Sequence, residues 1–225
     1  MLNNIKTLFI SVALIFSTAL MAVPATLEEG KQYQVIQPSV LVNEEKGKVL
    51  VIEFFSYGCP HCASLEPFFA EWEKKKPANV IVKRVPVEFQ PNWENLAKLY
   101  YTALSLEVVE KMNPLIFAAM QQGKDLSKEE TAADLFAAHG IDKETFKKTY
   151  NSFTVNKDLN AGRLLTQQYK VTGVPLIVVD GRYKTNMGMT GGPQGVGKVL
   201  DGLVAKASEE NAAAGAKVTE KPATP

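Results

Sequence analysis

Both cysteines of this 225-residue chain fall in one four-residue stretch, Cys59-Pro60-His61-Cys62. A disulfide between them closes a loop of two residues. Such a bridge removes little entropy from the unfolded chain, because that term grows with loop length. Stapling is therefore a weak reason for the pair, and redox chemistry a stronger one. The stretch lies where an apolar run, "KVLVIEFF", gives way to "ASLEPFFAEWEKKK", whose Leu65, Phe68, Phe69 and Trp72 recur at helical spacing. Cys59 thus stands at a helix N-terminus, with Pro60 in the first helical position, where its missing N–H costs nothing. Free backbone N–H groups and the positive end of the helix dipole face the Cys59 sulfur. His61 adds a hydrogen bond or, when protonated, a charge. All of these favour the thiolate, the attacking species in thiol chemistry. A stabilised thiolate stabilises the reduced dithiol, so the disulfide becomes a stronger oxidant, by about 30 mV for each ~1.4 kcal/mol. Cys62, one helical step further in, is the resolving thiol.

Other chemistries fit these residues less well. Covalent haem attachment needs a histidine directly after the second cysteine, where this chain has Ala63. Structural zinc takes four Cys or His ligands, and only His61 and the distant His139 accompany the pair. His139, beside Gly140, reads as a solvated residue at a helix end. No cofactor or metal is expected; the redox-active group is the Cys59–Cys62 disulfide itself.

The elements that position this turn follow from periodicity. "KQYQVI" and "KVLVIEFF" read as strands and "NVIVKRVPVEF" (79–89) as a third. Strand, helix and strand form a βαβ unit whose two strands are parallel neighbours. From Pro91 to about Tyr169 the pattern turns helical. "NWENLAKLYYTALSL" places Trp93, Leu96, Tyr100, Ala103 and Leu104 on one face. "SKEETAADLFAAHG" opens with a capping-box match, Ser127 to Glu130, and closes on Gly140. Further helices are expected over 142–151 and 155–169, with Pro114 breaking or starting one. "GVPLIVVDGRYKTN" returns to strands joined at Asp180-Gly181, a favoured hairpin dipeptide. A glycine-rich loop (186–197) and a helix near 195–207 follow. The last residues, 208–225, have no apolar anchors and are expected to be disordered.

The N-terminus bears on compartment. Lys6 followed by an apolar run to about Ala22, with small residues at Ala22 and Ala25, is the layout of a secretory signal peptide. The run is ~15 residues, short of the ~20 of a spanning helix. Cleavage after Ala22 (or Ala25) leaves equal numbers of basic and acidic residues, which offers no electrostatic case for nucleic acid or an anionic membrane surface. Exported chains meet an oxidising compartment where spare cysteines pair, and that sharpens the redox reading.

"VIEFFSYGCPHC", "GVP" before an apolar strand, and the helical insert resemble the DsbA family of periplasmic thiol:disulfide interchange proteins, over about Gly30 to Ala207. The resemblance implies an α/β, thioredoxin-like fold with a mixed central sheet and an inserted all-helical domain. The expected organisation is a signal peptide (1–22), a first thioredoxin-like part (27–90), a helical insertion (91–169) and a second thioredoxin-like part (170–207). It makes Cys59 the exposed nucleophile, His61 its thiolate stabiliser and Cys62 the resolving partner. It implies a cis Val174-Pro175 peptide bond packed against the turn, with backbone beside it free to pair with an extended substrate chain. A depressed thiol pKa and an oxidising disulfide are properties of the family rather than deductions from these residues. Glu53, an acid in an apolar strand, is costly unless paired or protonated. The family carries a buried acid there, facing a lysine; here Arg84 or Lys83 takes that place. Glu53 then serves either proton handling for Cys62 or a structural ion pair.

The implied activity is that of a periplasmic, monomeric protein dithiol oxidase acting on unfolded exported chains, reoxidised by a DsbB-type quinone-linked membrane protein. A disulfide isomerase or reductase, and a non-catalytic chaperone or binding module on the same fold, are the alternatives. Tyr57-Gly58 departs from the bulkier pair at these positions in the best-known member.

Overall fold

Seven consecutive buried residues, Val49–Phe55, form an interior strand of the sheet, parallel to one neighbour and antiparallel to the other. The computed structural model describes residues 27–40 and 47–219, with side chains up to 214. The expected signal peptide (1–22) lies outside the described residues. In chain order the elements are β1 (Gln34–Val35), β2 (Val49–Phe55), α1 (Pro60–Lys75), β3 (Val80–Pro86), α2 (Trp93–Ser105), α3 (Val109–Gln121), α4 (Glu129–Ala138), α5 (Lys143–Tyr150), α6 (Phe153–Gln168), β4 (Leu176–Val179), β5 (Tyr183–Thr185) and α7 (Val196–Thr219).

The sheet order is β1-β5-β4-β2-β3. β2 and β3 run parallel, whereas β2–β4, β4–β5 and β1–β5 are antiparallel, so the sheet is mixed as expected. The β4–β5 hairpin turns at Asp180-Gly181, both with positive φ (55° and 65°), and Arg182 N–H closes it onto the Val179 carbonyl. That is the I′ geometry whose twist matches the flanking strands. Side chains alternate across β2. Val49 and Val51 face α1 and α7, packing with Leu65, Phe69, Leu200 and Leu203. Leu50, Ile52 and Phe54 face the other way, onto Tyr169 and Val171. A third core fills the five-helix layer inserted between β3 and β4, with Met112, Ile116, Phe117, Phe136 and Phe146. Phe55, Tyr57, Cys59 and Cys62 belong to that same cluster, so the cysteine turn sits at the seam between sheet and helical layer.

Four expectations are corrected here. The strand over "KQYQVI" shrinks to Gln34–Val35. Pro114 lies inside α3 without ending it. The ~3 kcal/mol such a proline costs is outweighed by burying Met112, Ile116 and Phe117, each contributing about 1.5–3 kcal/mol. The Ser127–Glu130 capping box does not form: Lys128 is the N-cap, the Ser127 hydroxyl donates to Asp125, and Glu130 pairs with Lys147. A local turn partner for Ser127 and a tertiary one for Glu130 outcompete the reciprocal cap.

The tail supplies the fourth correction. Residues 208–219, expected to be disordered, continue α7. "NAAAGAKVT" is rich in alanine, the best helix former, and polar anchors do the work that apolar ones would. The Glu210 carboxylate accepts from Tyr183 Oη (2.5 Å) and Arg182 (2.7 Å) and pairs with Lys206 (3.0 Å). Asn211 Oδ1 accepts from Arg182 at 2.8 Å.

Candidate functional site

Cys59 is the N-cap residue of α1, in extended conformation, and Pro60 occupies the first helical turn. The Ser56 carbonyl and hydroxyl hold the approach: Cys59 N–H donates to Ser56 O (3.1 Å) and Gly58 N–H to Ser56 Oγ (3.1 Å). Gly58 is required by close approach, because a Cβ there would lie 2.5 Å from the Trp93 indole nitrogen. Cys62 is completely buried and Cys59 keeps 8% of its surface, less than an exposed nucleophile would. The cover comes from the cis Val174-Pro175 segment, whose Val174 carbonyl accepts from the Cys59 thiol at 3.5 Å. Pro175 is buried, whereas Pro60 and His61 are exposed.

The two sulfurs have opposite electrostatic environments. The Cys59 thiol is lowered from 9.0 to about 6. The Cys62 thiol directed at it is the largest cause; burial opposes it, and the N–H groups of Cys62 and His61 and then the His61 charge add to it. The imidazole therefore contributes least, and the helix start together with the second thiol contribute most. Burial pushes Cys62 far above the ordinary thiol range, and its neighbour reinforces the shift. One thiol is poised to be a thiolate near neutrality and the other to hold its proton.

Beneath α1 lies a buried polar cluster that sequence reasoning caught only in part. Alternation settles the partner of Glu53. In the parallel pair Glu53 stands opposite Arg84, and Lys83 stands opposite Ile52, so Lys83 points to the other face and is exposed. Arg84 Nη1 lies 3.2 Å from Glu53 Oε2, which nevertheless has no aligned hydrogen-bond donor among the described residues. The guanidinium is better spent elsewhere: it donates to Glu66 at 2.6 Å and Glu73 at 2.8 Å and stacks 4.9 Å over Phe69. Burial accordingly pushes Glu53 up from 4.5 to about 8; Arg84 pulls the other way, and Glu66 and Glu73 add to the rise. Burial opposes the Arg84 charge too, but the three carboxylates outweigh it and keep the guanidinium charged.

Glu66, Asn113 and the Tyr57 hydroxyl were not anticipated. Asn113 Nδ2 donates to Glu66 Oε1 (2.7 Å), and Tyr57 Oη donates to Asn113 Oδ1 (2.5 Å). All three residues are buried. The bonds tie the helical layer, through Asn113 of α3, to α1 and to the approach to Cys59. The available signal was spacing: Glu66 follows Cys62 by one helical repeat, on the face that carries Leu65 and Phe69 inward.

A CxxC pair at a helix N-cap, facing a cis-proline segment on a mixed sheet with an inserted helical layer, defines a thioredoxin-fold thiol:disulfide oxidoreductase. The family model described as "DSBA-like thioredoxin domain" matches residues 82–196. The thiol:disulfide interchange protein DsbA of Burkholderia cepacia is 39% identical over 207 residues, covering 92% of this chain and 97% of that protein. DsbA of Pseudomonas aeruginosa is 37% identical over the same shares. The crystal structure of P. aeruginosa DsbA superposes with a TM-score of 0.75 at 38% identity, covering 82% of this chain and 95% of that one. The oxidoreductase DsbA from Xylella fastidiosa superposes with a TM-score of 0.73 at 26% identity, over 80% and 97%. This chain belongs to the DsbA family. No helix among the described residues is long and apolar enough to cross a membrane.

Proposed function

We propose that the protein is a periplasmic dithiol oxidase that donates its Cys59–Cys62 disulfide to unfolded exported chains. The observation that carries this reading is the asymmetry of the two thiols, with Cys59 lowered to about 6 and Cys62 pushed far up by burial. A substrate thiolate attacks the Cys59 sulfur of the disulfide. A new sulfur–sulfur bond forms, the Cys59–Cys62 bond breaks, and Cys62 leaves with the electron pair and takes up a proton. A second substrate thiolate attacks the substrate sulfur of this mixed disulfide. The substrate disulfide forms, and Cys59 departs as the stabilised thiolate. Two electrons pass from substrate to enzyme, and no cofactor is needed.

In this reading the Cys62 thiol, the α1 N–H groups and the His61 charge hold the Cys59 thiolate, and Pro60 starts the helix that presents those N–H groups. Val174 and Pro175 present backbone to the extended substrate. Glu53 supplies the proton that Cys62 takes up; its raised pKa, about 8, keeps it protonated near neutrality. Family membership supports export to the periplasm, action as a monomer and reoxidation by a DsbB-type membrane protein. The test is the reduction potential of the pair, equilibrated against glutathione. A strongly oxidising value supports donation, and a value near that of thioredoxin, about −270 mV, defeats it. Cys62→Ser adds a direct check: it should accumulate mixed disulfides through Cys59, whereas a non-catalytic binding module would leave none.

A further inference from the structure

Beside the cysteine turn a cavity of about 590 Å³ is walled by His61 on one side and the cis-proline segment on another. Its charged lining is one-sided. Lys170 and Lys184 contribute to it, and no aspartate or glutamate does. Neither lysine forms an ion pair with any described residue. In a chain with 25 basic and 24 acidic residues, two unpaired cations with no acid between them mark a local departure from neutrality.

Their placement is also particular. Lys184 is held in mid-strand, in register with Val178 on one side and Gln34 on the other. Lys170 follows α6 with φ 49°, a left-handed backbone that glycine ordinarily supplies at this position. A non-glycine residue there costs on the order of 1 kcal/mol, and in exchange the cavity gains a cationic side chain near Val174. Met187 and Met189 add flexible apolar surface to the same lining.

We infer that this cavity selects substrate segments carrying acidic residues beside the reacting cysteine, with Lys170 and Lys184 as specificity-determining residues. The inference rests on the oxidase reading above and names the substrate class for the same site. Complementary charge of this kind acts mainly on encounter and register. Two partly exposed pairs give a preference of about fivefold.

The experiment uses the oxidised protein and three dicysteine peptides that differ only in whether glutamate, glutamine or lysine flanks the first cysteine. Each rate of peptide oxidation is divided by that peptide's rate with 2-hydroxyethyl disulfide, which removes differences in intrinsic thiol reactivity. The Glu-flanked peptide should react about fivefold faster than the Gln-flanked one and the Lys-flanked peptide slower. Salt at about 0.5 M should compress the ratios toward one. In K170Q/K184Q the ratios should flatten, and in K170E/K184E their order should reverse. Equal normalised rates for the three peptides in the wild type, or an unchanged order in K170E/K184E, overturns the inference while leaving the oxidase intact. Failure to oxidise even the Gln-flanked peptide defeats the oxidase reading, and this inference with it.

Discussion

Lowering the pH from about 8 to about 5 should strip stability from the reduced protein that the oxidised protein never had. The cause is Cys59, whose folded pKa of about 6 lies below its unfolded 9.0. A group with a depressed pKa contributes its full stabilisation above the unfolded value and loses it as pH falls through the folded one. For these two values the contribution is about 2.7 kcal/mol at pH 8, about 1.4 kcal/mol at pH 7 and near zero at pH 5. Cys59 keeps contact with solvent, so screening reduces the change between the two ends of this window to about 1.5–2 kcal/mol. In the disulfide there is no thiolate, and the contribution vanishes. Cys62 adds almost nothing up to about pH 8, because it is protonated in the folded state and nearly so in the unfolded state there. Glu53 titrates within the window but in both redox forms, so it cancels in the difference. Urea unfolding of the reduced and oxidised proteins across the window measures that difference directly, as a relative shift of about 0.5–1 M in midpoint. Thiolate absorbance near 240 nm reports the same titration independently. The pH 7 figure corresponds to about 30 mV of reduction potential. If the stability difference is flat from pH 5 to 8 while the thiolate absorbance rises only near 9, the account of Cys59 is refuted.

Glu53 should impose the opposite trend on both forms. Its folded pKa, about 8, lies above 4.5, so its stabilising contribution is lost as pH rises from about 4.5 through 8; Glu53→Gln should flatten that decline in denaturation curves. Arg84→Met should destabilise the protein by about 3–5 kcal/mol, the cost of leaving buried carboxylates without their cation, and adding Glu66→Gln should recover part of the loss. A full-cost Arg84→Met with no recovery in the double variant would contradict the network described. Gly58→Ala should cost about 1–3 kcal/mol through overpacking against Trp93 and shift the tryptophan emission; an unchanged spectrum and midpoint would show that the indole does not pack there.

The legible part of this protein was the part carried by local pattern. The buried strand, the helix after it and the proline at its first turn follow from periodicity and backbone chemistry, and they alone put Cys59 at a helix N-terminus. The Asp180-Gly181 hairpin was equally local, since few other dipeptides take two positive φ values. The tail after Ala207 is less legible: a lack of apolar anchors points to disorder, while alanine's helix propensity and the Glu210 clamp on Arg182 and Tyr183 hold it helical.

What the tertiary structure alone decided were the partnerships between residues distant in sequence. Only strand register assigns Arg84 rather than Lys83 to Glu53. Only the folded α1–α3 contact brings Asn113 between Glu66 and Tyr57. The ranking of influences on Cys59 also belongs here, because the charge of the histidine two residues on contributes less than the buried thiol one turn away. Side-chain types and spacing specify what a residue can do. Which charges share a desolvated space, and so how strongly each is felt, depends on three-dimensional packing that no local pattern encodes.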